Sequence, residues 1–443
     1  MGVPAERSYG RATVFHLDMS GQRLKASIAL LAAMGLFGLA PSAPAAPARA
    51  TQGADSALGA KLAGPMRAAG RFSGAYVVNL DKGRTVFRRR ASRARILASN
   101  TKLFTTSAAL ARFGPAARLS TEVRGDGDLD PDGTYRGNLY LVGGGDPTFG
   151  SRRFASRAYG GGASVEDLAA KLKEAGIERV TGRVLGDESR FDSLRGGPDS
   201  GYRASIYVGP LSALAYNRGL STEGGRGFQV QPAAFAAARL DSALDLRQIS
   251  VKGAPRAGRT PQEAQILAFV ESPTMARLVT LTNKDSDNFF AETLAKDLAM
   301  QANGKGTTAG GARLAAGFAS RLGSRARLVD GSGLARANRA SPAGVAKLLM
   351  ALRGRAEFPA FFESLSIAGR DGTLRPRMRR GPARGRCRGK TGTISGVSAV
   401  SGYCLARSGD NYVFSILMNG VDPFGARKLQ DGMLQAIAGT RGD

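Results

Sequence analysis

The chain has 443 residues, with 63 lysines and arginines against 35 aspartates and glutamates, and a formal net charge of +28. Its single histidine, His16, lies in the amino-terminal stretch and its two cysteines are Cys387 and Cys404, so a mature chain without that stretch excludes a Ser-His-Asp triad, a histidine-ligated metal and a cysteine zinc site. The charge suits an exported protein drawn to an anionic wall or membrane surface, while the lack of tryptophan and of any basic helix interleaved with aromatics argues against nucleic acid as a partner.

Taken in chain order, Arg23 and Lys25 precede the apolar run ASIALLAAMGLFGLA (26–40), and the small residues of PSAPAAPARAT follow. That order predicts a secretory signal peptide over 1–50 and an extracytoplasmic protein; an uncleaved amino-terminal anchor is the alternative. Met19, just before the basic pair, is a second candidate start. SGAYVVNL (73–80) and TVFRRR (85–90) flank Asp81-Lys82-Gly83 and predict a hairpin. Next, LFTTSAALARF (103–113) predicts a helix ended by Gly114-Pro115. The polar, turn-rich segment 126–133 marks a boundary, after which short strands and glycine-rich loops predominate. Ser164 with Asp167 opens a helix that Gly176 closes, and VTGRVLGD (180–187) predicts a strand.

Residues 221–262 read as irregular apart from a helical stretch near 232–244. From about 265 helical patterns return, one of them opened by Ser341-Pro342. Two apolar strands, GVSAVSGYCLAR and NYVFSILMNG, end the chain. The simplest partition is a core from 51–122 and 263–443, with 123–262 inserted as an accessory region.

Three local patterns carry chemistry. Ser99 and Lys102 stand at i, i+3 in ILASNTKLF, close enough on one helical turn for the amine to reach the hydroxyl. A buried lysine, or one beside another cation, loses its proton more easily and can then act as a base toward serine. Ser286 and Asn288 precede a helix in NKDSDNFFAETLAK, and Lys390, Thr391, Gly392 and Thr393 open a strand. Each alone also reads as a solvated surface pair, a helix cap or a turn before an edge strand. In the order S-x-x-K, S-x-N, K-T-G they form one Ser-Lys catalytic set. Ser99 attacks a carbonyl, Lys102 takes its proton, and Ser286 relays it to the leaving amine. Asn288 holds a peptide group, and Lys390 supplies a positive field that depresses the pKa of Lys102. Gly392 leaves room for a substrate along the strand edge, and Thr391 and Thr393 hold a carboxylate. The N–H groups of Ser99 and Thr393 complete an oxyanion hole.

With GGGDPTF (143–149), GRVLGDESRFD (182–192), DGSGLARANRASP (330–342) and AGRDGTL (368–374), the chain resembles the D-alanyl-D-alanine carboxypeptidase/endopeptidase family, the class C low-molecular-mass penicillin-binding proteins of peptidase family S13. The resemblance implies an α+β fold: a transpeptidase core like that of penicillin-binding proteins and serine β-lactamases, an antiparallel sheet flanked by helices, with large inserted domains. It implies a serine D-Ala-D-Ala carboxypeptidase or endopeptidase acting on peptidoglycan stem peptides, without cofactor or metal, and inhibited covalently by β-lactams. It further implies that Asp146 and Arg336 hold the free end of a diaminopimelate side chain; a turn residue and a surface charge are the plainer readings. Leu97 where proline is common, Ala335 where serine is common, and Ile394 after the K-T-G-T segment depart from the family pattern and leave the preferred stem peptide open.

Cys387 and Cys404 flank the K-T-G segment. If GRCRGKTGTI and SAVSGYCLA pair as antiparallel neighbours, residues whose numbers sum to 791 face each other, and these cysteines form a disulfide in an oxidising compartment. Two buried thiols are the alternative. The competing functions are a β-lactamase or esterase using the same Ser-Lys device, and a non-catalytic wall-binding protein relying on its charge.

Overall fold

The computed structural model describes residues 50–442 except Arg226. The leader expectation, with His16 and Met19, falls almost wholly outside that range. Among the described residues no helix is long and apolar enough to cross a membrane.

The amino-terminal part supplies α1 (Ala50–Ala68), β1 (Gly74–Asn79), β2 (Arg84–Arg89), β3 (Arg95–Ile96) and α2 (Lys102–Phe113). The middle supplies β4 (Ser120–Gly125), β5 (Asp128–Leu129), β6 (Thr134–Arg136), β7 (Leu139–Val142), α3 (Arg152–Tyr159), α4 (Val165–Glu174), β8 (Arg179–Asp187), α5 (Pro232–Asp245), β9 (Ser250–Ala257) and β10 (Gln265–Glu271). Next come helices α6 (Met275–Lys284), α7 (Asn288–Asn303) and α8 (Thr308–Arg321), short strands β11 (Ala326–Arg327) and β12 (Arg339–Ala340), α9 (Pro342–Leu352) and α10 (Phe358–Ser364). The chain closes with β13 (Ser366–Ile367), β14 (Cys387–Ile394), β15 (Val397–Leu405), β16 (Asn411–Asn419) and α11 (Pro423–Ala438).

The main sheet runs β13-β14-β15-β16-β1-β2, antiparallel throughout, so both ends of the described chain build it. Strand alternation assigns its two faces. On β16, Val413 and Leu417 join Leu103, Phe104, Phe289 and Leu349 in the helical layer. Phe414, Ile416 and Met418 point the other way, onto Leu58 and Leu62 of α1 and Leu434 and Ile437 of α11. The sheet is buried on both faces, which is why its last strands read as nearly continuous apolar runs. This is the α+β architecture, an antiparallel sheet between helical layers.

A second, mixed sheet runs β10-β4-β7-β8-β6-β5, with β9 also paired to β8. Its core packs Leu139, Leu141, Val180 and Val184 against α4 and α5. Ser164 caps α4 by accepting from Asp167 N at 3.2 Å. The sheet begins at Ser120 and ends at Glu271, outside both limits of the expected insertion 123–262. Two of its strands lie where the sequence reads as irregular or helical. β9, SVKGAPRA, pairs with β8 alone and carries Gly253 and Pro255; a proline lacks the N–H that an inner strand needs, and an edge position tolerates it. β10 alternates weakly and runs close to the amino-terminal end of α6, so the helical signal that follows masks it.

Candidate active site

A short 3-10 turn, Ala98–Thr101, leads into α2 and places Ser99 one helical turn ahead of Lys102. Lys102 is fully buried, and its Nζ reaches Ser99 Oγ at 3.1 Å, Asn288 Oδ1 at 2.7 Å and the Ser332 carbonyl at 2.8 Å. Asn288 is the first residue of α7, and its Nδ2 donates to the Tyr207 carbonyl at 3.0 Å. Ser286, just outside that helix, has φ +58, a left-handed conformation uncommon for a residue with a side chain. Its Oγ accepts from Lys390 Nζ at 2.8 Å. Lys390 is also fully buried, on β14, and its carbonyl accepts from Asn100 Nδ2 at 3.0 Å. The three motifs thus meet: the turn before α2, the start of α7 and strand β14.

Burial pushes the Lys102 amine down to about 8, against an upward pull from Asp330, Glu292 and Asp287. Lys390 is buried beside Lys102, and the repulsion between the two amines is mutual. Burial first, and then the charge of Lys102, hold Lys390 well below the usual lysine range. Glu292 and Asp330 lie inside the stretches NKDSDNFFAETLAK and DGSGLARANRASP, but the letters alone assign them no role. Glu292, buried on α7, accepts from Gly331 N and Ser332 N, and burial raises its carboxyl. Asp330 accepts from Gly333 N and Ala335 N at 2.7 Å each and from Asn338 Nδ2 at 2.8 Å, and burial raises it to about 7. Together they fold the D-G-S-G segment so that the Ser332 carbonyl faces Lys102. The D-G-S-G glycines, with an acid at their head, were the signal available in the sequence.

Gly392 also meets a packing demand. A Cβ there would lie 2.9 Å from Leu97 O and 3.0 Å from Ser99 N, so the absent side chain lets β14 pass against the nucleophile's own turn. Beside Ser99 and Ser286 opens a cleft of about 510 Å³, lined also by Thr373, Thr391, Thr393 and three arginines, Arg375, Arg377 and Arg427. No acid lines it. Arg377 pairs with Asp431 at 2.7 Å, whereas Arg427 Nη2 donates to Thr393 Oγ1 at 3.1 Å and has no carboxylate partner among the described residues. Thr391 Oγ1 donates to Thr373 Oγ1 at 2.8 Å.

Arg336 Nη1 donates to the Ser395 carbonyl, at the turn that follows β14. Asp146 lies in the turn after β7. It is 3% exposed, does not line the cleft, and its Oδ1 is taken by Thr148 N and Thr148 Oγ1 at 2.7 Å each. Its other oxygen, Oδ2, has no hydrogen-bond partner among the described residues. Cys387 and Cys404 face each other in the β14–β15 register and are joined by a disulfide. No motif marks Arg218, whose guanidinium pairs with Asp287, the cap of α7, between Ser286 and Asn288.

The D-Ala-D-Ala carboxypeptidase 3 (S13) family profile matches residues 56–224 and 221–439. A D-alanyl-D-alanine carboxypeptidase from Actinomadura sp. (strain R39) is 28% identical over 451 residues, spanning 83% of this chain and 81% of that protein. Carboxypeptidase DacB from Mycolicibacterium smegmatis is 31% identical over 395 residues, spanning 84% and 81%. Among solved structures, penicillin binding protein 4 (dacB) from Haemophilus influenzae has a TM-score of 0.72 at 21% identity, covering 84% of this chain and 97% of that one, a likeness of fold.

Proposed function

The chain belongs to the D-Ala-D-Ala carboxypeptidase 3 (S13) family, and on that premise we propose that it removes the terminal D-Ala of peptidoglycan stem peptides, or cleaves D-Ala cross-links, through an acyl-enzyme on Ser99 with Lys102 as base. The observation that carries this reading is the buried Lys102 amine 3.1 Å from Ser99 Oγ. A neutral amine has two N–H donors and a lone pair. Asn288 Oδ1 and the Ser332 carbonyl occupy the two donors, which leaves the lone pair for the Ser99 hydroxyl.

In this mechanism the Ser99 oxygen bonds to the carbonyl carbon of the penultimate D-Ala while its proton passes to Lys102. The N–H groups of Ser99 and Thr393 hold the oxyanion; support comes from the approach of Gly392 to Ser99 N. The C–N bond then breaks, and the leaving nitrogen takes a proton through Ser286, which Lys390 holds at 2.8 Å. Water hydrolyses the ester, regenerating Ser99. The free carboxylate of the leaving residue meets Thr391 and Thr393 and the uncompensated Arg375 and Arg427, in a cleft without acids. Arg336 stands ready for an anionic group of the stem side chain. A β-lactam enters as an acylating inhibitor. The Cys387–Cys404 disulfide supports an oxidising, extracytoplasmic setting.

Purified protein incubated with a fluorescent penicillin is expected to carry stable label, and its Ser99→Ala variant none. Label that vanishes within seconds would move the assignment to a β-lactamase. Label on both proteins, or on neither, would remove Ser99 as the nucleophile.

A further inference from the structure

A second cavity, sharing no lining residue with the cleft, encloses about 550 Å³. Five arginines wall it: Arg353, Arg370, Arg384, Arg386 and Arg388. No aspartate or glutamate lines it, and among the described residues none of the five forms an ion pair.

Three of the guanidinium groups are held in place by specific contacts, those of Arg388, Arg370 and Arg386. Arg388 stacks on Phe362 with its Cζ 4.7 Å from the ring centroid. Arg370 lies against Gly385, where a Cβ would fall 2.8 Å from its Nη2 and 2.9 Å from its Cζ. Gly385 also has φ +73, so space and conformation both call for glycine. Arg386 Nη1 donates to the Ala406 carbonyl. The side chains of Arg353 and Arg384 have no acceptor among the described residues. Behind them Phe358, Phe362 and Tyr403 pack with ring centroids 5.4–5.6 Å apart, both phenylalanines edge to face with the tyrosine, an apolar wall. Cys404, half of the disulfide, closes one side.

Like charges gathered around one hollow repel one another, and an anion between them reverses the sign of that energy. We propose that this cavity binds a phosphate-ester anion, whether the headgroup of an acidic phospholipid or a unit of a phosphodiester polymer. A carboxylate engages one guanidinium fork and leaves the others unanswered, whereas the oxygens of a phosphate address several forks at once. The volume exceeds that of one phosphate group, and the aromatic wall receives the organic part of the ester. Arg388 lies on the same face of β14 as Lys390, two residues and roughly 7 Å along the strand. An anion held there keeps the catalytic cleft beside the surface or polymer that carries it. The assignment stands independently of the chemistry at Ser99.

The test is binding by the purified protein at 150 mM salt to three probes: glycerol phosphate oligomers, phosphatidylglycerol vesicles against phosphatidylcholine vesicles, and polyglutamate of equal charge. A variant carrying Arg370→Gln, Arg384→Gln and Arg386→Gln is compared with a control of equal net charge carrying Arg157→Gln, Arg247→Gln and Arg313→Gln. Thermal unfolding establishes that both are folded. The expected result is at least tenfold weaker binding of a phosphate probe by the cavity variant alone, with polyglutamate bound poorly by all three proteins. A loss seen with the soluble oligomers assigns a polymer, and a loss confined to vesicles assigns a lipid. Equal binding by the two variants, equal affinity for polyglutamate, or no binding by the unmutated protein would overturn the proposal.

Discussion

Lys102 sets the pH at which the site can act. Burial holds its amine at about 8, so about a tenth of it is neutral at pH 7, and that fraction grows as the pH rises. A base must be neutral to accept the serine proton. The rate of acylation by a fluorescent penicillin is therefore expected to rise through pH 8 and level off above it, and a flat profile from pH 6 to 9 would separate Lys102 from the base role. Lys102→Ala should lower that rate by about 10²–10⁴. Arg427 makes a sharper demand on specificity. It reaches Thr393 Oγ1 and has no acid partner, so Arg427→Gln is expected to lower kcat/KM at least tenfold for a peptide ending in D-Ala-D-Ala. The loss should be far smaller for the same peptide ending in a carboxamide. A merely structural role would depress both substrates alike, and that outcome would remove Arg427 from carboxylate recognition.

Among the elements, α7 carries the clearest dependence on a distant segment. Its cap Asp287 accepts from Phe290 N at 3.1 Å and is gripped by Arg218, from the long connection between β8 and α5. Asn217 and Arg218 both have positive φ, and Arg218 packs its guanidinium 5.2 Å from the Phe289 ring. That contact fixes the residue between Ser286 and Asn288, so Arg218→Met is expected to slow acylation about tenfold or more, by loosening both neighbours. Pre-steady-state labelling checks this, with Arg218→Lys recovering part of the rate; unchanged labelling would show that the cap alone suffices. Such a dependence explains what was readable beforehand. Ser99–Lys102, Ser286–Asn288 and Lys390–Thr393 are each contiguous, and the serine, lysine and amide chemistry is visible in the letters themselves. Arg218, Glu292 and Asp330 act through burial and through partners distant in sequence, and one arginine among so many basic residues carries no mark. The strands followed the same division. β15 and β16 declare themselves by apolar content and β14 by the K-T-G motif it carries, whereas β9 is an edge strand of polar texture whose only evidence is the β8 neighbour it pairs with.

At the scale of the whole molecule, the second sheet's region meets α7 through a pair of buried acids. The turn after β7 brings Asp146 next to Asp297, whose Oδ1 lies where a Cβ on Gly145 would come within 1.9 Å. Asp146 Oδ2 and Asp297 Oδ2 have no hydrogen-bond partner. Burial raises Asp146 to about 7, and burial with the neighbouring Asp146 charge raises Asp297 well above the carboxylate range, only partly opposed by Arg190. The sign follows from linkage. A carboxyl whose folded pKa lies above its unfolded value binds more protons in the native state, so the folded chain gains from these groups at low pH and loses that gain as the pH climbs from about 4 through 7. Glu292 and Asp330, also raised, push in the same direction, while Asp187 and Asp167, held low by hydrogen bonds from hydroxyl side chains and, for Asp167, by Arg152, push in the opposite one. The whole-protein pH profile mixes all of these, and the difference between a variant and the unmutated protein isolates the pair. Asp297→Asn keeps the shape and removes one ionisation. It is expected to stabilise the protein at pH 8 by about 2 kcal/mol, to change little at pH 5, and to leave penicillin labelling intact. Urea unfolding of both proteins across that pH range measures this directly. An equal destabilisation at both pH values would mean that the two carboxylates are bridged favourably in solution, and that the junction between the second sheet and the catalytic helices is held by this pair rather than strained by it.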